Sequence, residues 1–241
     1  MAAEIPTPPW KRTRPSTPPR VQLTRELIVD AALRLLDRDG LDGVSMRRVA
    51  DELGAGAASL YAHVANKEEL LELVLDRVIG EVDVPDPDPE RWQDQLREVG
   101  MQMYEIYGTH MDIAGVSLAN VPTTPNSMRI AERMFAIMLA GGVPPKVASW
   151  SLDRFALYIA ADAYEGSLLE KRRRASGLSP ADFIEKFTAE FRDFYASLPP
   201  EEFPSITGHL TELTIGSSRD RFAFGLDMMV RSLATYVAHP A

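Results

Sequence analysis

The chain has 241 residues, 45% of them hydrophobic, with no cysteine and a formal net charge of −9. That length suits one large domain or two small ones and allows a packed core, while the absence of cysteine excludes disulfides and thiolate metal sites. No apolar run approaches the roughly eighteen residues of a membrane helix, and the first residues lack an apolar stretch of signal-peptide length, so a cytoplasmic protein with no membrane partner is expected.

Residues 1–20 hold six of the eighteen prolines together with Lys11, Arg12, Arg14 and Arg20. Such a segment cannot bury enough apolar surface to order itself. It reads as a disordered basic arm able to follow phosphates or a minor groove. The charge is divided along the chain: residues 1–67 carry ten Lys and Arg against eight Asp and Glu, a net of +2, which leaves −11 for residues 68–241. Attraction to nucleic acid depends on local basic patches rather than on the whole-chain sum.

Thr24 caps a predicted helix running to about Arg38, with Ile28, Ala31, Ala32, Leu35 and Leu36 as its core stripe. Asp39-Gly40 ends it. Ser45 is a second N-cap, followed by Met46, Val49, Ala50 and Leu53 on one face and by Gly54 as a stop. Four residues of low bulk, Ala55 to Ala58, form a tight turn, and Ser59 to Val64 is the predicted second helix of the pair. Leu60 and Val64 face inward there, while Ser59, Tyr61, Ala62 and His63 face out. Helix, short turn and second helix have the proportions of a helix–turn–helix, which lays its second helix in the major groove of DNA. Asn66 with Glu69 resembles a capping box and opens a connecting helix over residues 67–83.

The VPDPDP run at residues 84–89 breaks the chain, and Asp88-Pro89 reads as the cap and first turn of the next helix, with Trp92, Leu96, Val99, Met103 and Tyr107 inside. A shorter helix follows His110, and Val121 to Asn126 reads as a loop. Ser127 to Ala140 is a helix with Ile130, Met134, Ile137 and Met138 inside. Pro145 opens a long helix to about Arg172, and KRRRASGLSP then reads as an exposed loop whose four cations, Lys171 to Arg174, are a solvated helix end favoured by the dipole. Pro180 to Ala196 and Arg219 to Val237 are further helices, separated by an irregular stretch. No segment reads as a strand, so the expected fold class is all-α.

The block Ser59-Leu60-Tyr61-Ala62-His63-Val64 and the following Asn66-Lys67-Glu68-Glu69-Leu70, with Gly40, Ser45, Val49, Ala50, Leu53 and Gly54 before them, resemble the DNA-binding domain of the tetracycline-repressor (TetR) family. Trp92-Gln93-Asp94, Phe155-Ala156-Leu157-Tyr158, Leu168-Leu169-Glu170 and Phe222 to Leu226 are similar to the C-terminal domain of the tetracycline-repressor branch. The resemblance implies a helix–turn–helix three-helix domain over residues 21–66. Residues 84–241 would then be a ligand-binding and dimerisation domain whose long and last helices form an intersubunit four-helix bundle. It implies a homodimer on a palindromic double-stranded DNA operator, released by a small-molecule ligand.

The DNA contacts implied are Arg47, able to grip a guanine bidentately, Ser59 to a base or phosphate, and Arg48, Tyr61, His63 and Lys67 to phosphates. Ala57 and Ala58 can touch only a thymine methyl. The tetracycline repressors hold a magnesium–drug complex through a histidine that falls on Ser117 here, a pocket asparagine that falls on Val99 and an aromatic residue that falls on Met103. A more apolar pocket that does not take magnesium–tetracycline is therefore expected, lined by Met103, Tyr107, Ser117, Arg133, Met138, Phe155, Tyr158 and Asp162, with no metal and no cofactor. Two alternatives stay open: an activator or architectural DNA binder without ligand control, and a helical carrier or enzyme that keeps the motif as structure. Against an enzyme stand the lack of a phosphate loop, a nucleophile elbow or metal-ligand spacing, and the scatter of His63, His110, His209 and His239.

Overall fold

The computed structural model describes residues 23–119 and 123–238; the expected basic arm and part of the Val121 to Asn126 loop lie outside them. Every regular element among the described residues is helical. Three of the first four helices begin on a side-chain cap, because the early N–H groups of a helix have no partner within it. Thr24 accepts from the Leu27 amide at 3.3 Å to open α1 (Arg25–Asp39). Ser45 accepts from the Arg48 amide at 3.3 Å to open α2 (Met46–Glu52). Asn66 accepts from the Glu69 amide at 2.7 Å to open α4 (Lys67–Ile79). The Glu69 carboxylate reaches back to the Ala65 amide, one residue before the cap.

The second helix of the motif differs from the expected one. α3 spans Ala57–Leu60 with Gly56 as its cap, and the chain from Tyr61 to His63 is a turn in which the His63 and Val64 amides both reach the Leu60 carbonyl. Leu60 and Val64 are buried all the same, with Ile28, Leu35, Val49 and Leu70 in the core of this unit. α4 ends at Ile79, four residues short of the predicted end.

The second unit is built on α5 (Trp92–Thr109) and α8 (Pro145–Ser176). Onto them pack α6 (Ile113–Ala119), α7 (Pro125–Ala140) and α12 (Ser218–Ala238). The expected stripe of α5, from Trp92 to Tyr107, is buried throughout. Its start is later than predicted: Asp88 and Pro89 form a turn in which the Asp88 carboxylate accepts from the Glu90 amide at 2.9 Å. The buried Gln95 side chain ties down the proline-rich link by donating to the Asp86 carbonyl at 2.7 Å and accepting from the Asp88 amide at 3.0 Å. α12 crosses α8 closely because Gly225 has no Cβ; one would sit 2.2 Å from the Tyr158 hydroxyl.

The long helix also runs further than expected. Lys171 to Arg174 lie within α8, which ends at Gly177 in the left-handed region, and three of them are ion-paired rather than simply solvated. Lys171 meets Asp112 at 2.8 Å, while Arg173 and Arg174 both hold Glu170, at 2.7 and 2.9 Å. Hydrogen bonds from Arg173 and then Arg174 bring the Glu170 carboxyl down to about 2. α9 (Pro180–Ala196), α10 (Pro204–Gly208) and α11 (Leu210–Thr214) pack mainly on one another, and α9 has no buried residue.

Candidate functional site

The outer face of the helix–turn–helix is short-sided. Ala58, Ser59 and Tyr61 are exposed, Tyr61 by 54%. Ala57 is half-buried, and the Ser59 hydroxyl donates to the Gly56 carbonyl at 2.6 Å. His63 is half-buried, and its carbonyl accepts from Arg25 Nε at 3.2 Å. Arg47 is the freest cation of the face: its side chain is 89% exposed and touches only Asp51, at 4.0 Å. Arg48 is exposed and ion-paired with Asp39 of α1. Lys67 is half-buried, with its ammonium 3.5 Å from the Leu41 carbonyl in the turn that follows α1. Arg47, Ser59 and Tyr61 thus form an exposed set on α2, α3 and the following turn, beside the exposed but paired Arg48 and the half-buried Lys67.

A cavity of about 380 Å³ lies between α4, α5, α6, α7 and α8. Met103, Tyr107 and Ser117 line it. The Tyr107 hydroxyl donates to Ser117 Oγ at 3.1 Å, and burial pushes the Tyr107 phenol above its usual range. The other five expected residues lie elsewhere. Met138 and Phe155 are core side chains, 0% and 1% exposed. Tyr158 stacks on Phe222 and donates to its carbonyl at 2.9 Å. Arg133 reaches out to Asp86 in the proline-rich link. Asp162 sits on the far side of α8 near Tyr104 and Tyr158, where burial and then Glu165 push its carboxyl up.

In their place the lining takes Glu72, Leu75 and Ile79 from α4, Ile130 and Met134 from α7, and Leu152, Ala156 and Ala160 from α8. Leu75 and Ile79 stand on the apolar side of α4, and sequence periodicity gives a core side chain and a cavity wall the same signature. The described residues contain no group of three or more His, Cys, Asp or Glu side chains placed to hold a metal ion, and none of their helices is long and apolar enough to cross a membrane.

Between the two sites lies a polar junction. Asp112, at the start of α6, is 1% exposed and has φ 62. Its Oδ2 accepts from the Leu41 amide at 2.9 Å and from Lys171 Nζ at 2.8 Å, while Oδ1 has no partner. Two residues earlier, His110 Nδ1 lies 3.0 Å from Asp37 of α1. Arg174 donates to the Arg38 carbonyl at 3.4 Å. The end of α1 is therefore fastened to the start of α6 and the end of α8, and α6 carries Ser117 in the cavity wall.

Comparison with known proteins agrees with this arrangement. A family model described as "Bacterial regulatory proteins, tetR family" matches residues 28–74, and one described as "Tetracyclin repressor-like, C-terminal domain" matches residues 84–237. The chain is similar to the HTH-type transcriptional repressor DrrR1 of Streptomyces coeruleorubidus, 30% identical over 93% of this chain and 82% of that protein. It is also similar to apo ActR of Streptomyces coelicolor, with 35% identity and a TM-score of 0.79 over 91% of this chain and 98% of ActR. ActR in complex with actinorhodin superposes with a TM-score of 0.79 at 35% identity, over 91% of this chain and the whole of that one. One family model thus covers the helix–turn–helix and the first part of α4, and the other covers α5 to α12. The chain belongs to the tetR family of bacterial regulatory proteins and is a DNA-binding transcriptional regulator.

Proposed function

We propose that two copies of this chain bind a palindromic operator as a repressor in the cytoplasm, without enzymatic activity, and let go of it when a small molecule enters the α4–α8 cavity. The observation that carries the reading is the position of α4. Lys67 at its start meets Leu41 at the edge of the DNA-binding unit, while Leu75 and Ile79 further along line the cavity. A ligand that favours one placement of α4 shifts DNA affinity by its differential affinity for the two states.

Pairing of two copies is supported by a row of exposed apolar side chains, Trp150, Leu157 and Leu168 on α8 with Phe224, Met228 and Tyr236 on α12. A monomeric soluble protein seldom leaves so much apolar surface uncovered. With two copies, the reading units meet half-sites about 34–36 Å apart. Arg47 is the residue for base readout, beside Ser59 and Tyr61, and Lys67 contributes a phosphate contact on leaving Leu41. Magnesium–tetracycline is not the ligand, since Ser117 is engaged with Tyr107, Val99 is core and Met103 offers only a thioether. ActR, at 35% identity, forms a complex with actinorhodin, which favours a small organic ligand here too.

The test is a gel shift with palindromic intergenic DNA on protein whose mass in solution is measured. A dimer that shifts one sequence and is released by a small molecule is expected; a monomer, or binding indifferent to every candidate ligand, overturns the reading. Arg47→Ala should lose preference at one base pair by about 1–3 kcal/mol. Lys67→Ala should weaken all sequences alike and flatten the salt slope by about one unit.

A further inference from the structure

We infer that the ligand of the cavity is a cationic amphiphile, an apolar ring system bearing an amine, and that Glu72 receives the positive charge. This rests on the reading of the cavity as the ligand site and names what enters it. Among the described residues lining the cavity only Glu72 and Asp153 are charged, and both are acidic. Asp153 is an exposed carboxylate already paired with Arg154. Glu72 is half-buried, and its side chain makes no hydrogen bond or ion pair with any described residue.

Its neighbours on α4 do not neutralise it. Glu68, Glu69 and Asp76, one turn away on either side, are acids themselves and add to the negative field. The half-buried Glu72 carboxylate borders an apolar wall without a partner, and a bound ammonium supplies one through a charge-assisted hydrogen bond. The rest of the lining suits an apolar body: Ile79, Met103, Ile130 and Met134 make the walls, and the Tyr107 and Ser117 hydroxyls add one polar edge. An anionic ligand would meet two carboxylates and no cation. Because Glu72 stands on α4, the ligand's charge acts on the helix that also carries Lys67.

The experiment uses the full-length protein and three probes on one flat ring: pyrenemethylamine, which is cationic at neutral pH, neutral pyrenemethanol, and anionic pyreneacetate. Dissociation constants are read by calorimetry or pyrene fluorescence on wild type and on Glu72→Gln, with a thermal melt to show that the variant is folded. Wild type should bind the amine at least about tenfold more tightly than the alcohol, and the acid most weakly. In Glu72→Gln the ratio of amine to alcohol affinity should fall to about one. Equal affinities in wild type, or a preference for the acid, overturn the charge assignment while leaving the cavity as a ligand site. An amine preference that survives Glu72→Gln overturns the role of Glu72 and moves it to Asp153. Failure of all three probes to bind overturns the cavity reading itself.

Discussion

The unit of α1 to α4 and the unit of α9 to α11 both carry regular apolar stripes, yet only the first closes on itself. In the first, Ile28, Leu36, Val49, Leu60 and Leu70 are each 0% exposed. In the second, Phe183, Phe187, Phe191 and Tyr195 form a ladder of ring contacts along α9, at 6.2, 5.9 and 4.6 Å between successive centroids. No residue of that helix is buried, and Ile184 and Phe194 are more than half exposed. Helical period tells which side of a helix is apolar. It does not tell whether the same chain supplies the cover.

The contrast can be sharpened by mutation. The largest effect belongs inside the first unit: Leu60→Ala should cost about 2–5 kcal/mol of unfolding free energy, read from the denaturant midpoint, because a fully buried side chain leaves a cavity. Next comes the junction that ties this unit to the rest. Asp112→Ala removes the acceptor of both the Leu41 amide and Lys171, so a loss of about 1–3 kcal/mol is expected. The more telling readout there is the ratio of operator affinity with and without ligand, which should shrink if Asp112 transmits between cavity and DNA unit. Loss of a cap is smaller: Asn66→Ala should cost about 1 kcal/mol in the same melt. Smallest is the second unit, where Phe194→Ala should change the stability of the isolated subunit by no more than about 0.5 kcal/mol. A larger loss that grows with protein concentration would break the comparison, by showing that a second copy supplies the missing cover.

The same contrast explains what could be read in the sequence. The three caps Thr24, Ser45 and Asn66 and the stripes of α1, α5 and α7 were legible because both signals are local, contained within one or two turns. α3 is shorter than its sequence pattern because Tyr61, Ala62 and His63 continue a helical pattern while the backbone turns at Leu60. Lys171 escaped because its partner Asp112 lies far along the chain. The cavity was legible on α5 and at Ser117, but not where core and lining share a face: Phe155 fills space and Ala156, its neighbour, borders it. Arg133 and Tyr158 were spoken for by Asp86 and by the Phe222 carbonyl, pairings that no periodicity encodes.

Gly40 sets a condition on any attempt to exchange reading units among such regulators. It holds φ 72, and a Cβ there would stand 2.8 Å from Asp112 Oδ2. A donor head bearing a bulkier residue at this place would have to displace the carboxylate that anchors the next amide. Chimeras should therefore carry positions 40, 41, 112 and 171 as a matched set; a graft that respects only the boundary between α4 and α5 would set a foreign side chain against the Asp112 carboxylate.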